Sequence, residues 1–502
     1  MKRKITAYIL AALLCAAAIL PALTGCSSEN PEAQASGGTG GTEDAAAAKD
    51  AGENTAEAVE TEAPELRSKD LLPAADFGGA EFLILGREYA KLGSLPSVEF
   101  AVDEMNGEII NDTVYKRNRT VEDNFNVRIR AMTGAAASLV PTSVAAGDGA
   151  YDLAWAHVND MAALSTGGNL ANYCETPHIN LSGAWWNQLA VESLTVNGKC
   201  FLQMNYIPFT GVMLSHALFY NQNILNNYGL TAPTEYVNRN EWTFDNFRSM
   251  AESVSSDENG DGTWDENDLY GLLSSHGTSG QAMSIAMGVR PVEISADGEV
   301  SLTLVSDRNQ SILEALVSLT HSPSSWLITD YSKENDLAKM FVNGRGLFYS
   351  GFLTDAYQFF RDMEADYGLS VFPKWEASDE RYITTVTGGT GLLGIPAVTA
   401  DAERTGLITE ALAIESYYDV YPAVFETVIN DKLLRDEDSQ KMFRLLMDGL
   451  EVSLARTYKY AAYNDLFADL TASGSTDLAS AAAKQEKPAL KHYEKVIQSF
   501  GG

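Results

Sequence analysis

The chain has 502 residues, of which 45% are hydrophobic, and its formal net charge at pH 7 is −33. This length exceeds what one hydrophobic core usually serves, so it predicts two lobes with accessory segments. A strongly acidic surface repels phosphate backbones, which argues against a nucleic-acid-binding protein.

The N-terminus has the layout of a secretory signal peptide. Three basic residues at 2–4 precede an apolar run at 5–20, and Leu-Thr-Gly-Cys follows at 23–26. This ending is similar to the lipobox of bacterial lipoproteins, in which the cysteine carries a diacylglycerol group. We therefore predict a signal peptide at 1–25 and lipidation of Cys26. An ordinary signal peptide that contains a cysteine is the alternative.

The segment 26–67 is rich in Ala, Gly, Ser, Thr and Glu and almost free of large apolar residues. It cannot bury enough surface to fold, so we predict a solvated tether. A lipid anchor followed by a tether puts the folded part on the outer face of the bacterial cytoplasmic membrane. There, Cys174 and Cys200 can form a disulfide, and two free thiols are the alternative.

After the tether, strands alternate with helices. The apolar patterns predict strands at 81–86, 126–131 and 151–156, with helices at 108–124 and 138–146 between them. This alternation implies a parallel sheet with helices on its faces. Ligands of such sheets bind beyond the carboxyl ends of the strands.

The rest of the chain continues as mixed α/β and becomes helical towards its end. Further strands are predicted at 216–221, 269–275, 346–351, 368–373 and 390–396, and helices over most of 401–499. No repeat period is visible in the sequence, which disfavours a solenoid. Two α/β lobes with a helix-rich C-terminal part fit this pattern better than an eight-unit barrel, which is the alternative.

Several segments follow one another between residues 111 and 374: NDTVYKRNRTVEDNFNVRI, GAYDLAWA, FYNQNILNNYGL, NEWTFDNF, DENGDGTWDENDLYGL, MFVNGRGLFY and YGLSVFPK. Together with the lipobox, this succession resembles the extracellular solute-binding lipoproteins of bacterial ABC importers, family 1, sugar-binding type. Two positions depart from the likeness. Gln222 stands where many relatives have Lys, and Glu241 precedes Trp242 where a basic residue is usual.

The resemblance implies two lobes of the periplasmic-binding-protein type II kind within residues 68–502. One lobe would comprise about 75–180 and 340–400, and the other about 185–335 and 400–500. It implies that a monomer, lipid-anchored to the membrane, closes on a small carbohydrate without altering it. ABC permease subunits would be the partners that receive the ligand.

A secreted glycosidase is the alternative from another functional class. Such an enzyme would also be acidic, aromatic-rich and α/β, and it would need two carboxylates flanking the scissile bond. The sequence contains no nucleophile elbow, no H-E-x-x-H and no phosphate-binding glycine loop, so we predict no catalytic residue. A surface adhesion module is a third possibility, but repeats and extended all-β patterns are absent from the sequence.

An acidic loop near the middle of the chain has the spacing of an EF-hand calcium loop. Oxygen-bearing side chains occupy its positions 1, 3, 5, 7, 9 and 12, namely Asp257, Asn259, Asp261, Thr263, Asp265 and Asp268. The closing position usually carries Glu, and a shorter Asp there predicts weaker binding. We predict a structural Ca²⁺, and a solvated turn without metal is the alternative.

Carbohydrate recognition combines aromatic faces with hydrogen-bonding side chains, so candidates were sought after strand ends. The predicted ligand-binding residues are Arg87, Trp155, His157, Asn159, Trp185, Trp186, His276, Tyr349 and Phe352. Packing in the core is the alternative for each aromatic residue. For each histidine, the alternative is a side chain whose hydrogen bonds are made within the protein. At least one of the two adjacent tryptophans is expected in the core.

Overall fold

The computed structural model describes residues 66–88, 95–361, 363–428 and 437–501. The predicted signal peptide, Cys26 and the tether up to residue 65 lie outside these residues. Arg67 is already part of the folded body, because its Nη1 lies 3.0 Å from Glu415 and 2.9 Å from Asp419. The folded part therefore begins at or before Arg67.

Most predicted strands are present, with shifted ends. The strands are β1 (Ala80–Gly86), β2 (Val127–Thr133), β3 (Leu153–His157), β4 (His216–Asn221), β5 (Ser255–Ser256), β6 (Leu269–Ser275), β7 (Val292–Ile294), β8 (Val300–Leu302), β9 (Ser325–Ile328), β10 (Gly346–Phe352), β11 (Tyr367–Ser370), β12 (Thr384–Thr385), β13 (Gly391–Gly394) and β14 (Leu450–Glu451).

Helices connect and cover the strands. The α-helices are α1 (Ser68–Leu71), α2 (Ile109–Phe125), α3 (Ala136–Ala146), α4 (Val158–Thr166), α5 (Gln188–Leu194), α6 (Phe209–Met213), α7 (Gln222–Asn227), α8 (Pro233–Asn238), α9 (Phe244–Glu252), α10 (Ser284–Ala286), α11 (Asp307–Thr320), α12 (Glu334–Val342), α13 (Leu353–Gln358), α14 (Ala402–Glu415), α15 (Tyr421–Val428), α16 (Glu437–Asp448), α17 (Leu454–Thr457), α18 (Ala461–Asn464), α19 (Leu466–Ser473), α20 (Leu478–Ala483) and α21 (Glu486–Ser499). Short 3₁₀ turns span Leu95–Val98, Tyr173–Glu175 and Tyr331–Lys333, and π-helical segments span His276–Met283 and Ser416–Val420.

The first sheet confirms the predicted parallel unit. Its strand order is β13-β3-β1-β2, and β1 runs parallel to both β2 and β3. Ile84 and Leu85 of β1 point to opposite faces of the sheet and are both fully buried, as expected for a strand covered on both faces. On α2, Val114 and Val121 are also fully buried, because the helical period places them on the face that meets the sheet.

The second sheet is mixed, with the strand order β11-β4-β10-β6-β5 and with β9 added beside β6. β10 and β6 are parallel, whereas β4 is antiparallel to both β10 and β11. β10 and β11 therefore belong to this sheet, although the expected boundaries grouped 340–400 with the first lobe. Only β13 of that range pairs with the first sheet, where it is antiparallel to β3.

The C-terminal helices pack on both sheet regions. α14 packs on α2 beside the first sheet, α16 on β11 of the second sheet, and α19 on the π-helical segment that follows β6. The predicted α/β fold with a helix-rich C-terminal part is thus confirmed. Within the described ranges, no helix has the length and apolar character needed to cross a bilayer.

Candidate functional site

A cavity of about 540 Å³ opens where β6 and β10 end, and we call it the cleft. These strands are parallel, so their carboxyl ends meet at one edge of the sheet, the usual position of ligand sites in α/β folds. His276 follows β6, Phe352 ends β10, and both line the cleft. The segment Thr387–Gly389, which leads into β13 of the first sheet, lines it as well.

An aromatic pair lies at the edge of the cleft. The Tyr331 hydroxyl group is 2.5 Å from Nδ1 of His276, and Nε2 of the same ring is 3.1 Å from Asp469. Tyr331 has 55% of its surface exposed, more than the exposed Tyr228 at 42%. An exposed ring at a cavity edge can stack against the C–H face of a sugar.

A buried carboxylate, that of Asp355, fixes part of the cleft lining. Asp355 Oδ2 accepts hydrogen bonds from the Tyr349 hydroxyl group at 2.7 Å and from the Phe352 amide at 2.8 Å. Burial, and then the nearby Asp355, raise the pKa of Tyr349 far above its usual value, so this phenol stays a hydrogen-bond donor. The Phe352 ring packs 4.8 Å from the ring of His216, which also lines the cleft.

Two buried polar atoms of the cleft lining have no hydrogen-bond partner in the described part of the chain. His216 is 2% exposed and Thr354 is 5% exposed. Among the residues that the structure describes, nothing forms a hydrogen bond with His216 Nδ1 or Thr354 Oγ1. Burial, and then Arg456, lower the pKa of His216 to about 3, so its ring is neutral. Hydroxyl groups of a ligand could satisfy both atoms.

The described lining carries more negative than positive side chains. Its carboxylates are Glu334, Asp355, Asp465 and Asp469, and its one ammonium group is Lys459. That ammonium group lies 2.9 Å from Asp465 and is therefore already paired. The wall between His276 and Met283 is π-helical, a distortion often found at functional sites.

Of the predicted residues, His276, Tyr349 and Phe352 line the cleft, and Arg87 reaches its border. The guanidinium group of Arg87 donates a hydrogen bond to the carbonyl oxygen of Gly389, which lines the cleft. The central carbon of this guanidinium group, Arg87 Cζ, lies 5.0 Å from the centre of the Trp155 ring. Trp155 itself is fully buried and therefore supports Arg87 from the core of the first sheet.

His157 and Asn159 lie at the junction of β3 and α4. His157 Nδ1 accepts the Asn159 amide at 3.1 Å and thereby caps the helix. Burial, and then the neighbouring Arg87, lower the pKa of His157. The adjacent Val158 amide donates to the carbonyl oxygen of Thr390 at 3.0 Å, which ties this junction to the segment that borders the cleft.

Trp185 and Trp186 are held elsewhere, by a carboxylate of α14. Their indole N–H groups donate to the two oxygens of Glu410 at 2.6 and 3.0 Å. Trp186 is 1% exposed, in line with the expectation that one of the pair packs in the core. Burial raises the pKa of Glu410 to about 7, and the two indole bonds oppose this rise.

The acidic loop is closed by its own hydrogen bonds. Asp257 accepts the amides of Gly260 and Gly262 at 2.7 and 2.8 Å, and the fully buried Asp268 accepts the amides of Glu258 and Asp265 at 3.1 and 2.8 Å. Among the described residues, no three His, Cys, Asp or Glu side chains form a metal-binding group. The calcium site at this loop stays a prediction.

Sequence reasoning missed the side chains that helices bring to the cleft. Tyr331, Glu334, Asp465 and Asp469 come from segments around α12 and α19. Tyr331 follows β9, and that strand was not predicted because all four of its residues are half-buried and show no alternation. Had β9 been recognised, the rule that led to His276 would also have pointed to Tyr331.

A larger cavity of about 1060 Å³ runs along β2 at the border of the first sheet. Many charged side chains line it, including Arg119, Arg128 and Arg130. β2 has a pairing partner on one side only, so this groove follows a sheet edge rather than the carboxyl ends of parallel strands. We therefore assign the functional site to the smaller cleft.

No protein-family model matches the chain, and no curated protein matches it. The GacH receptor of Streptomyces glaucescens, solved unliganded and with acarbose, is 15% identical with a TM-score of 0.52, covering 83% of this chain and 99% of that chain. An ABC-transporter solute-binding protein from Thermotoga lettingae with bound α-D-tagatose is 15% identical with a TM-score of 0.50, and the match covers 83% of this chain and 100% of that chain. RafE from Streptococcus pneumoniae in its apo form is 14% identical with a TM-score of 0.50, and the match covers 84% of this chain and 97% of that chain. At these identities the likeness concerns the fold: this chain has the α/β fold of periplasmic sugar-binding proteins.

Proposed function

We propose that this protein captures a small carbohydrate outside the cell and passes it unaltered to the permease subunits of an ABC importer. The fold supports this function, because the similar solved structures include proteins described with acarbose and with tagatose. The proposal includes the lipid anchor at Cys26 and a monomer on the outer face of the cytoplasmic membrane.

The observation that carries the proposal is the lining of the cleft. The exposed ring of Tyr331 lies in the same cavity as two buried polar atoms, on His216 and Thr354, that form no hydrogen bond with any residue the structure describes. A sugar offers an apolar C–H face and several hydroxyl groups, which match these two features. The cavity volume of about 540 Å³ falls in the usual range for small-molecule sites.

Binding would be coupled to closure of the two sheet regions. Arg87 follows a strand of the first sheet and contacts Gly389. In the second sheet, His276 follows β6 and Phe352 is the last residue of β10. A ligand that touches both sides favours the closed form by its difference in affinity for the two forms. The permease would then recognise the closed form.

Thermal shift and titration calorimetry against a saccharide panel test this function. We expect saturable stabilisation by at least one saccharide, with the saccharide recovered unchanged after incubation. Tyr331→Ala should weaken that binding by up to about tenfold, because an aromatic stacking contact is worth roughly 0.5–1.5 kcal/mol. Tyr228→Ala is the matched control, since Tyr228 is 42% exposed and lies outside the cleft lining.

The same experiment separates capture from a glycosidase. The cleft lining contains several carboxylates, and two of them at a suitable separation could cleave a glycosidic bond. Release of reducing ends during incubation would support the enzyme and refute capture. An absence of binding across the whole panel would refute the carbohydrate ligand itself.

A further inference from the structure

Three polar side chains of the cleft, from three separate segments, form a hydrogen-bonded chain. His276 Nδ1 lies 2.5 Å from the Tyr331 hydroxyl group, and His276 Nε2 lies 3.1 Å from Oδ1 of Asp469. His276 begins the π-helical segment after β6, Tyr331 belongs to the 3₁₀ turn after β9, and Asp469 belongs to α19. All three residues line the cleft. The chain therefore runs from α19 through the imidazole ring to an exposed phenol.

The packing of α19 on the π-helical segment fixes one end of this chain. A Cβ atom at Gly280 would lie 2.6 Å from Cα of Ala468, so only glycine permits this approach. Ala468 immediately precedes Asp469, which is thereby held beside the imidazole ring. The His276 side chain is 17% exposed, and the Tyr331 ring meets it at an angle of 82°. The contact thus joins packed elements.

The partners of the ring determine where its hydrogen atom lies. A carboxylate can only accept hydrogen bonds, so in the neutral ring Nε2 carries the hydrogen that faces Asp469, and Nδ1 is an acceptor. Burial, and then Glu334, Asp465 and Asp469, raise the pKa of Tyr331, so the phenol keeps its proton. That proton points to Nδ1 of the ring. The Tyr331 oxygen therefore presents only lone pairs to the cleft.

Resting on the proposed function, we infer that Tyr331 determines specificity by accepting a hydrogen bond from one hydroxyl group of the saccharide, and that His276 and Asp469 are the positioning residues that impose this direction. The role is separate from stacking, because it depends on the phenol oxygen and not on the ring face. A hydroxyl group can donate to this oxygen, whereas a hydrogen or fluorine atom in its place cannot.

Protonation of the ring would reverse the direction of the bond. Imidazole is the side chain that titrates between pH 5 and pH 8. A second hydrogen, on Nδ1, would donate to the Tyr331 oxygen, and the phenol proton would then turn towards the cleft. The charged groups around this ring are Asp469 on α19, Asp465 and Lys459 before α19, Glu334 on α12 and Arg456 on α17. Because several charges surround the ring, a variant of His276 itself is needed to assign the reversal.

Tyr331→Phe keeps the ring and removes the acceptor. We would titrate the full-length chain at pH 8 with glucose, galactose, mannose, tagatose, maltose and cellobiose, and with analogues in which one hydroxyl group is replaced by hydrogen or by fluorine. Tyr331→Phe should weaken binding of each saccharide that binds by about fivefold, the effect of one hydrogen bond. Tyr228→Phe is the matched control, since Tyr228 is exposed and lies outside the cleft lining.

The analogues report the direction of the bond. At one position the deoxy analogue should bind equally to Tyr331→Phe and to the unsubstituted protein, which identifies the hydroxyl group that Tyr331 contacts. At pH 8 the fluoro and deoxy analogues at this position should bind equally, because neither can donate. At pH 5 the fluoro analogue should bind about threefold more tightly than the deoxy analogue, because fluorine can accept from the reversed phenol.

His276→Gln tests the imidazole ring. Its amide can donate to Asp469 and present an oxygen to Tyr331 at every pH. Its affinity at pH 8 should stay within about threefold of the unsubstituted protein, and its fluoro-to-deoxy ratio should not change at pH 5. A merely structural role of His276 would not produce this loss of pH dependence.

Variants of Asp469 test the other positioning residue. Asp469→Asn can donate to Nε2 as well as accept from it, so it no longer fixes the hydrogen of the ring, and the fluoro-to-deoxy ratio should rise at pH 8. Asp469→Glu keeps a carboxylate and should restore the ratio. Asp336→Asn is the control for loss of charge, because Asp336 is paired with Lys339 at 3.0 Å outside the cleft lining. Its ratio should equal that of the unsubstituted protein.

The outcomes separate this inference from the proposed function. Saccharide binding that Tyr331→Phe leaves unchanged would overturn the inference and leave carbohydrate capture standing. A fluoro analogue that binds more tightly than the deoxy analogue at pH 8 would show that Tyr331 donates, which overturns the assigned direction. The same pH dependence in His276→Gln and in the unsubstituted protein would overturn the role of the ring. If no saccharide of the panel binds, both the inference and the proposed function are overturned.

Discussion

The hydroxyl group of Tyr349 donates a 2.7 Å hydrogen bond to Oδ2 of Asp355, and both residues belong to the lining of the cleft. Both residues are buried, at 3% and 6% exposure. The same oxygen accepts the amide of Phe352, so the bond fixes the end of β10 against the start of α13. The cleft edge therefore depends on one buried carboxylate.

Tyr349→Phe should lower the free energy of unfolding by about 1–2 kcal/mol. The substitution removes the phenol donor and leaves the carboxylate of Asp355 less well satisfied in a buried position. Urea denaturation monitored by circular dichroism would measure the loss.

Tyr367→Phe is the matched control, on another strand of the same sheet. Tyr367 belongs to β11 of the same sheet, is 2% exposed, and its hydroxyl group has no hydrogen-bond partner within the described residues. Removing that hydroxyl group should change stability by less than about 0.5 kcal/mol or increase it. Equal losses in the two variants would contradict a stabilising bond between Tyr349 and Asp355.

The burial of the Glu410 carboxyl group predicts a pH dependence of stability. Burial raises its pKa from 4.5 to about 7 in the folded protein. Between these two pH values Glu410 keeps its proton in the folded state and releases it in the unfolded state. The contribution of Glu410 to stability is therefore complete below pH 4.5 and is lost as the pH rises to about 7. The loss from this group should be about 3 kcal/mol.

The Glu410→Gln variant isolates this effect. Its amide does not titrate, whereas all other ionisable groups contribute equally to both proteins. The stability of the unsubstituted protein relative to the variant should therefore fall between pH 5 and pH 7.5, as measured by urea titrations at several pH values. A difference that stays constant across this range, or that rises, would contradict a raised pKa of Glu410 in the folded protein.

The sequence pattern was sufficient for the elements of the first sheet and insufficient for the pairing in the second. Local apolar patterns indicate where β1, β2 and β3 run, because these three strands are consecutive in the chain and pair with one another, with β1 beside both β2 and β3. Pairing of β10 between β4 and β6 joins residues more than seventy positions apart, and no local pattern reports such a contact. The expected grouping of 340–400 with the first lobe differed from the structure for this reason.

The site was partly predictable for a similar reason. His276 and Phe352 could be proposed because a residue that follows a strand in a parallel sheet lies near the ligand edge. Trp185 and Trp186 illustrate the limit, since an aromatic pair in a loop has the same appearance in sequence whether it faces a ligand or a core. Its location was decided by Glu410, more than 220 residues away along the chain.

The two cysteines of the folded part should differ in their reaction with alkylating reagents. Both are free thiols in the structure, with Cys174 exposed and Cys200 buried. Burial raises the pKa of Cys200 to about 11, which further suppresses the reactive thiolate. Peptide mapping after native alkylation should find the label on Cys174 and find it on Cys200 only after unfolding. A Cys174–Cys200 peptide recovered without reductant would contradict free thiols.

Asp268 offers a test of what holds the acidic loop together. Its two buried oxygens accept the amides of Glu258 and Asp265, so Asp268→Asn would place an N–H group against a donor and should cost about 2 kcal/mol in the presence of a chelator. Asp261→Asn should cost less than about 0.5 kcal/mol there, because Asp261 is exposed and the amide keeps an acceptor for the Thr263 amide.

Calcium separates the two explanations of this loop. If the spacing does create an ion site, millimolar Ca²⁺ raises the melting temperature of the unsubstituted protein, and Asp261→Asn reduces that rise because a ligand at position 5 loses its charge. If hydrogen bonds alone close the loop, calcium leaves both melting temperatures unchanged, and only Asp268→Asn is destabilised. A calcium-induced rise that is equal in Asp261→Asn and in the unsubstituted protein would locate any bound ion outside this loop.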